Sequence, residues 1–256
     1  MPERVIIHTP AEIEKIRRAG AVTGEVRDAI AAAVRPGMTT FDLDQISGEI
    51  IRATGGRSAF LGYGDFPGNV CISVNDTVIH GIGSPKTIIE NGDIVSIDVG
   101  VAIGGALGDC AVTVPVGEIS ASAKHLLDGT KKALFAGIDA ARAGNPVRKV
   151  SAAVESVGRH YGLGIVRDYV GHGCGIQLHE PPEVPNFTGW GGGPVLQPGM
   201  VICIEPMFNL GGSAVKVDRR DGWTVRTRDG SLSAHFEHMI LLTEKEAEIL
   251  TWQKTM

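Results

Sequence analysis

The sequence predicts an α+β fold in which two similar halves each pack a pair of helices on antiparallel strands. The main observation is that the order helix–turn–helix–strands occurs twice at a constant offset, so that Gly37 and Gly55 correspond to Gly144 and Gly162. Glycine makes up 35 of the 256 residues, about twice the usual share, which indicates many tight turns in an ordered chain. We therefore predict a single domain, 1–256, with halves at about 9–116 and 120–240.

The helices are predicted from their start signals and their apolar spacing. The first begins at Thr9, which can cap it, with Pro10 in the first turn and Glu12 completing a capping box. Apolar residues then follow at helical spacing. Further helices are predicted at 39–55, 120–142, 147–161 and, as a short tail, 244–250.

The strands are predicted from alternating apolar residues between glycine-rich turns. Residues 69–116 have the pattern of an antiparallel meander. The second half has strand-like segments around 166–171, 200–206, 213–218 and 235–243. A site assembled from both halves would lie at their junction, a common position for pockets.

Composition excludes several classes of protein. The net charge of −5 argues against binding nucleic acid through bulk positive charge. No apolar run approaches the ~20 residues of a membrane span, and the N-terminal residues lack the pattern of a signal or transit peptide. The four cysteines form no CxxC pair, so reduced thiols are expected. These features favour a cytoplasmic protein that binds neither membrane nor nucleic acid.

Five polar residues lie in strand-like or glycine-flanked apolar sequence. They are Asp98, Asp109, His172, Glu205 and Glu237. Each alone is more often a hydrogen-bonded or salt-bridged structural group, because a buried carboxylate needs a partner. Several carboxylates sharing one interior would repel one another, and divalent cations resolve that conflict. Oxygen ligands with one imidazole suit Mn, Fe(II), Co or Zn, and two such ions could activate water and polarise a carbonyl.

A second metal set is conceivable from the cysteines. Cys110, Cys174 and Cys203 each lie close in sequence to one of these polar residues, and with His172 they could hold a structural zinc ion. None of the cysteines is paired at the spacing usual for zinc sites. Small buried thiols that pack near a site are the simpler interpretation.

At these residues the sequence resembles type I methionine aminopeptidases of the short bacterial kind, which have the pita-bread fold. The resemblance runs from about Thr9 to Thr251 and is specific only in combination. The segments that carry it are Asn69–Asn75, Val78–Ile82, Gly92–Val99, Gly108–Asp109, Gly171–Gly175, His179–Glu180, Pro198–Met200, Ile204–Met207, Asp221–Trp223 and Glu237–His238.

The resemblance implies a role for each candidate residue. Asp109 and Glu237 would bridge two divalent ions, Asp98 would hold one ion, and His172 and Glu205 the other. His179 would hydrogen-bond the scissile carbonyl, His80 would lie near the amide nitrogen, and Glu205 would also pass a proton to the leaving amine. The methionine pocket would be lined by Tyr63, Phe66, Cys71 and Trp223, which by themselves would be interpreted as core residues.

The implied reaction is removal of the initiator methionine from new chains whose second residue is small, by water activated between the two metal ions. The resemblance also implies a monomer that meets nascent N-termini near the ribosome. Cys110, Leu178 and Phe60 depart from the family pattern, which bears on side-chain preference and rate. The alternatives are a peptidase with altered N-terminal specificity and a binding protein that has lost catalysis.

Overall fold

The helices begin where the sequence places capping side chains. A computed structural model describes residues 5–189 and 191–252, so the ends of the predicted domain 1–256 lie outside the described residues. Thr9 and Thr39 each cap a helix, and both helices have complete capping boxes. The four helices are α1 (Pro10–Ala33), α2 (Thr40–Ala53), α3 (Ala121–Ala140) and α4 (Val147–His160).

The strands of the first half are β1 (Arg57–Ser58), β2 (Cys71–Val74), β3 (Thr77–Ile79), β4 (Ile94–Ile103) and β5 (Ala106–Pro115). They form an antiparallel sheet centred on one long hairpin of β4 with β5, and β4 pairs with β1 and β2 along its other edge. The meander predicted over 69–116 is wrong at β3, which joins a sheet of the second half because its hydrogen-bond partner is β12.

The second half divides its strands among three sheets. The strands are β6 (Gly164–Ile165), β7 (Gly171–Gly173), β8 (Glu180–Val184), β9 (Val201–Ile204), β10 (Met207–Asn209), β11 (Val215–Val217), β12 (Val225–Thr227), β13 (Ser233–His235), β14 (His238–Leu242) and β15 (Ala247–Ile249). The largest sheet has the order β15-β14-β9-β7-β8, and two smaller sheets have the orders β13-β10-β6 and β11-β12-β3.

Two predicted elements are wrong. The tail helix 244–250 is a strand: Thr243 and Glu246 close a turn, and β15 pairs with β14 at Ile240 and Ile249. Pairing with a buried strand outweighs the helix propensity of the segment. The strand expected at 166–171 is also wrong, because the chain leaves one sheet after β6 and enters another at β7.

The two halves meet along β5. Ala111 and Glu237 exchange backbone hydrogen bonds, with N···O distances of 3.4 and 2.9 Å. Two residues further on, the Thr113 hydroxyl donates to the carbonyl oxygen of His235 and accepts from its N–H. This seam joins strands that are more than 100 residues apart in sequence and brings the two sets of carboxylates together.

Each helix pair covers its own half, and α1 also reaches the other. α1 packs on β4 and β5, and α2 packs on α1 and β1, around a core that includes Ile30 and Ile97. α3 and α4 cover a second core. A Cβ atom on Gly24 of α1 would lie 2.6 Å from the backbone oxygen of Thr251, so only glycine allows this close approach. Within the described residues, no helix combines the length and apolarity needed to cross a membrane.

Candidate active site

The register of the hairpin puts two aspartates on one face. Asp98 of β4 lies opposite Ala111, and Asp109 of β5 lies opposite Gly100, so the two carboxylates are diagonal neighbours. Ala111 also pairs with Glu237 across the seam, which places a third carboxylate in the same row. The side chains of Asp109 and Glu237 are buried, with 4% and 2% of the residue exposed.

His172 and Glu205 enter the site from the second half. His172 Nδ1 lies 2.9 Å from the carbonyl oxygen of Gly173, which leaves Nε2 to face the carboxylates. Its Nε2 lies 3.6 Å from Glu205 Oε1 and 3.8 Å from Asp109 Oδ2. Glycine is required at position 171, beside His172, because a Cβ atom there would lie only 2.3 Å from the backbone oxygen of Cys203.

Burial and mutual repulsion raise the pKa values of Asp98, Asp109 and Glu237. Burial raises the pKa of Asp98 to about 7, with Glu205 adding to the effect and His235 opposing it. The pKa values of Asp109 and Glu237 are raised well above the ordinary range, first by burial and then by neighbouring carboxylates. The cluster therefore holds its negative charges at a cost that a cation would remove.

The donor set fits divalent metal ions. Asp98 Oδ1, Asp109 Oδ1 and Glu237 Oε1 are buried and have no hydrogen-bond partner among the described residues. Ligand atoms of Asp109, His172, Cys203 and Glu237 all lie within 4.8 Å of one another. Unpartnered carboxylate oxygens around one imidazole are the donors expected for Mn, Fe, Co or Zn.

The cysteines do not assemble as the rival zinc set would require. Cys110 alternates to the opposite face of β5 from Asp109, and its Sγ atom lies 3.7 Å from the backbone oxygen of Thr23 in α1. Cys203 does lie at the carboxylate cluster. Burial raises the pKa values of both thiols, which disfavours the thiolate form that binds zinc.

A small cavity of about 130 Å³ opens beside the carboxylates. Its apolar wall consists of Phe60, Tyr63, Phe66, Cys71, Leu178 and Trp223. Four of these residues, including Phe60 and Leu178, form one buried cluster, so two of the three departures from the family pattern are neighbours in the fold. A wider cleft of about 570 Å³, lined partly by Tyr169, Pro181 and Glu183, adjoins the same cluster at His172 and Glu205.

His80 and His179 line both the cavity and the cleft, as do His172 and Glu205. His80 follows β3 with a positive φ of 56° and contacts the rings of Tyr169 and Trp223 edge-on. The ring of His179 contacts the ring of His172 edge-on, with 4.4 Å between the ring centroids. Burial lowers the pKa of His80 and of His179 to about 4, so both are neutral near pH 7.

Comparison with known proteins identifies the family. A model described as metallopeptidase family M24 matches residues 14–244. The chain belongs to this family. The methionine aminopeptidase of Clostridium acetobutylicum is 43% identical over 247 residues, which is 96% of this M24 chain and 98% of that protein. Methionine aminopeptidase 1 of Bacillus subtilis is 41% identical over the same share of this chain and 99% of its own.

Solved structures agree in fold over nearly the whole M24 chain. The crystal structures of methionine aminopeptidases from Rickettsia prowazekii and Thermotoga maritima each superpose with a TM-score of 0.94, at 38% and 41% identity. They cover 97% and 98% of this chain and all of their own. The predicted pita-bread fold, the resemblance to type I methionine aminopeptidases and the prediction of a metallo-aminopeptidase are thereby confirmed.

Sequence reasoning missed two residues of this M24 site. His235 is 2% exposed, and its Nε2 lies 3.4 Å from Glu205 Oε2. The sequence does offer one signal for His235: it lies two residues before Glu237, and residues two apart in an extended segment share a face. Tyr169 lies at the cleft beside His80 but has no distinctive pattern in the sequence. All residues predicted for the metal and substrate sites line the cavity.

Proposed function

We propose that this chain removes the N-terminal methionine from nascent proteins and peptides whose second residue is small. The observation that carries the proposal is the pairing of a small apolar cavity with an open cleft across the carboxylate and histidine cluster. One apolar side chain fits the cavity, and the rest of a peptide can leave along the cleft. The names of the relatives support methionine as that residue, and the family resemblance supports the rule of a small second residue.

Asp98, Asp109, His172, Glu205 and Glu237 would hold two divalent ions in this proposal. Their buried, unpartnered oxygens and the free Nε2 of His172 support the assignment. When bound, the ions supply a nucleophile from water at neutral pH and polarise the scissile carbonyl. The donor chemistry fits Co, Mn, Fe or Zn.

The remaining steps belong to the chain's own side chains. Glu205 takes a proton from the attacking water and returns it to the leaving amine. His179 donates a hydrogen bond to the carbonyl oxygen as negative charge develops there, and His80 contacts the amide nitrogen. The aromatic wall, with Tyr63, Phe66, Cys71 and Trp223 among its residues, binds the methionine thioether.

The substrate, the location and the oligomeric state of the chain follow from the same family resemblance. Its substrates are nascent N-termini, which places its action in the cytoplasm near the ribosome, and we take it to act as a monomer that binds neither membrane nor nucleic acid. Light scattering on the purified chain tests the oligomeric state. A dimer would contradict that part of the proposal without affecting the reaction.

The reaction is tested with metal-free protein reloaded in turn with Mn, Co, Fe(II) and Zn. Methionine release from Met-Ala-Ser but not from Met-Leu-Ser is expected with at least one metal, and Glu205→Ala should abolish it while retaining the fold. Release of alanine from Ala-Ala-Ser at a comparable rate would favour the alternative of a peptidase with altered N-terminal specificity, which Phe60 and Leu178 suggest. If protein shown to bind two ions released no methionine with any metal, the proposed function would be wrong.

A further inference from the structure

The side chain of Tyr63 reaches a catalytic histidine. Its hydroxyl oxygen lies 2.8 Å from Nδ1 of His179, and the two ring centroids are 5.4 Å apart. Tyr63 is also 46% exposed, unlike Phe60 and Phe66 on either side of it, which are buried. Its phenol ring therefore contributes less apolar wall than its neighbours, and its hydroxyl has a specific partner.

The backbone around Tyr63 holds the hydroxyl in place. The short 3-10 helix Tyr63–Asp65 is closed by hydrogen bonds from Tyr63 N–H to the carbonyl oxygen of Phe60 and from Phe66 N–H to that of Tyr63. A further bond joins Gly62 N–H to the carbonyl oxygen of Phe66. Because Phe60 and Phe66 anchor both ends in the buried cluster, the turn cannot move without disturbing the cavity wall.

The contact decides which nitrogen of His179 carries the proton. In a neutral imidazole one nitrogen donates and the other accepts, and the partner of one nitrogen selects the state of the other. A phenol, with a pKa near 10, is a stronger hydrogen-bond donor than water, with a pKa near 15.7. A hydroxyl hydrogen directed at Nδ1 leaves Nε2 protonated and free to donate a hydrogen bond.

We propose that Tyr63 is a positioning residue: its hydroxyl donates to His179 Nδ1 and so presents Nε2–H of His179 to the oxygen of the scissile carbonyl. The inference rests on the proposed function, since it takes His179 as the group that stabilises the carbonyl oxygen. This role differs from lining the methionine pocket. It depends on the hydroxyl group and not on the ring, and its loss is expected to lower kcat and not to raise KM.

The kinetic test uses the metal-loaded enzyme and Tyr63→Phe, which keeps the ring and removes the hydroxyl. For Met-Ala-Ser we expect kcat to fall about three- to tenfold, the value of one lost hydrogen bond, with KM within about twofold. Tyr161→Phe is the matched control, because its hydroxyl donates to Asp128 on the helical face away from the site. An unchanged kcat, or a loss confined to KM, would overturn the proposal.

A second measurement does not depend on activity. Nitrogen-15 NMR of the zinc-loaded full chain reports the histidine tautomers, and His179→Gln identifies the signal of His179. We expect the Nε2–H form in the wild type and in Tyr161→Phe, and a mixture of tautomers in Tyr63→Phe. A wild-type signal of the Nδ1–H form would overturn the proposal. If the wild-type chain released no methionine, the proposed function would fail while this tautomer measurement still judged the contact.

Discussion

Asp98, on the strand next to the seam, shows that the charged groups of the site lower the stability of the metal-free fold. Asp98 lies opposite Cys71 on β2 and diagonal to Asp109, with one carboxylate oxygen buried and without a hydrogen-bond partner. Burying an unpaired charge costs several kcal/mol, and like charges nearby increase that cost. These carboxylates therefore lower the free energy of unfolding of the metal-free protein. A cation bound among them would neutralise their charge and remove this cost.

Replacing this aspartate tests both effects together. Asp98→Asn should raise the melting temperature of the metal-free protein at pH 8, because it removes one buried negative charge from a repulsive cluster. Each kcal/mol corresponds to about 2–4 °C for a domain of this size. The same variant should gain less thermal stabilisation from added Mn than the wild type, because it has lost a ligand. Calorimetry with and without Mn measures both.

Asp128→Asn is the matched control for this aspartate, since Asp128 is exposed on α3 beside Lys132. It should leave the response to Mn unchanged. A metal-free Asp98→Asn protein that melts below the wild type would show that the carboxylate is not repelled in the folded state.

At the scale of elements, α4 is tied to the loop after β8 by one carboxylate. Glu155 Oε2 accepts hydrogen bonds from the N–H and hydroxyl groups of Thr188, and Oε1 accepts from Arg159. Burial alone would raise the pKa of Glu155, but the Thr188 and Arg159 contacts outweigh burial and hold it below the ordinary value of 4.5. The helix thus stabilises the loop that follows β8, the strand that lines the cleft.

Glu155→Gln should lower stability near neutral pH by about 1–3 kcal/mol, the range for hydrogen bonds to a charged group. A depressed folded-state pKa contributes stability that is present above 4.5 and lost as the pH falls through the folded value. The difference from the wild type should therefore be largest near pH 7 and shrink as the pH falls below 4.5. Urea denaturation across this range measures it, and Glu49→Gln, exposed on α2, is the control. A difference that grows as the pH falls would contradict the argument.

At the scale of the whole molecule, the seam between β5 and residues 235–237 holds the carboxylates of the two halves together in one site. The Thr113 hydroxyl donates to the carbonyl oxygen of His235, accepts from its N–H and receives a further hydrogen bond from Ser96. All three residues are at least 97% buried. This hydroxyl therefore couples β5, which carries Asp109, to the segment that carries Glu237.

Thr113→Val keeps the shape and removes the hydroxyl, so the backbone groups of His235 would lose their partner in the interior. We expect a loss of about 1–3 kcal/mol in the free energy of unfolding and weaker Mn binding, because the halves would no longer be held in register. Urea denaturation and calorimetric titration measure the two effects. In the control, Thr130→Val, the lost bond is to the carbonyl of Leu126 within α3. Equal losses in both variants, with Mn binding unchanged, would mean that the seam bond has no special role.

The sequence predicted more of the candidate site than of the local fold around it. Asp98, Asp109 and Glu237 stand out because each is charged within an apolar strand-like segment, and such groups need partners. His235 and Tyr169 do not stand out, since their importance arises from neighbours distant in sequence. The division into one domain, 1–256, stays a prediction, as do the individual roles of the site residues.

The sequence by itself determined the four long helices, the repeated order of elements and the candidate ligands, because capping, apolar spacing and unpaired charge are local properties. Only the tertiary structure decided that residues 247–249 pair with β14, that Cys110 faces α1, and that Tyr63 meets His179. These outcomes depend on which distant segment supplies a hydrogen-bond partner. The seam through Ala111 and Glu237 has the same origin, and it is the contact that turns two sets of carboxylates into one site.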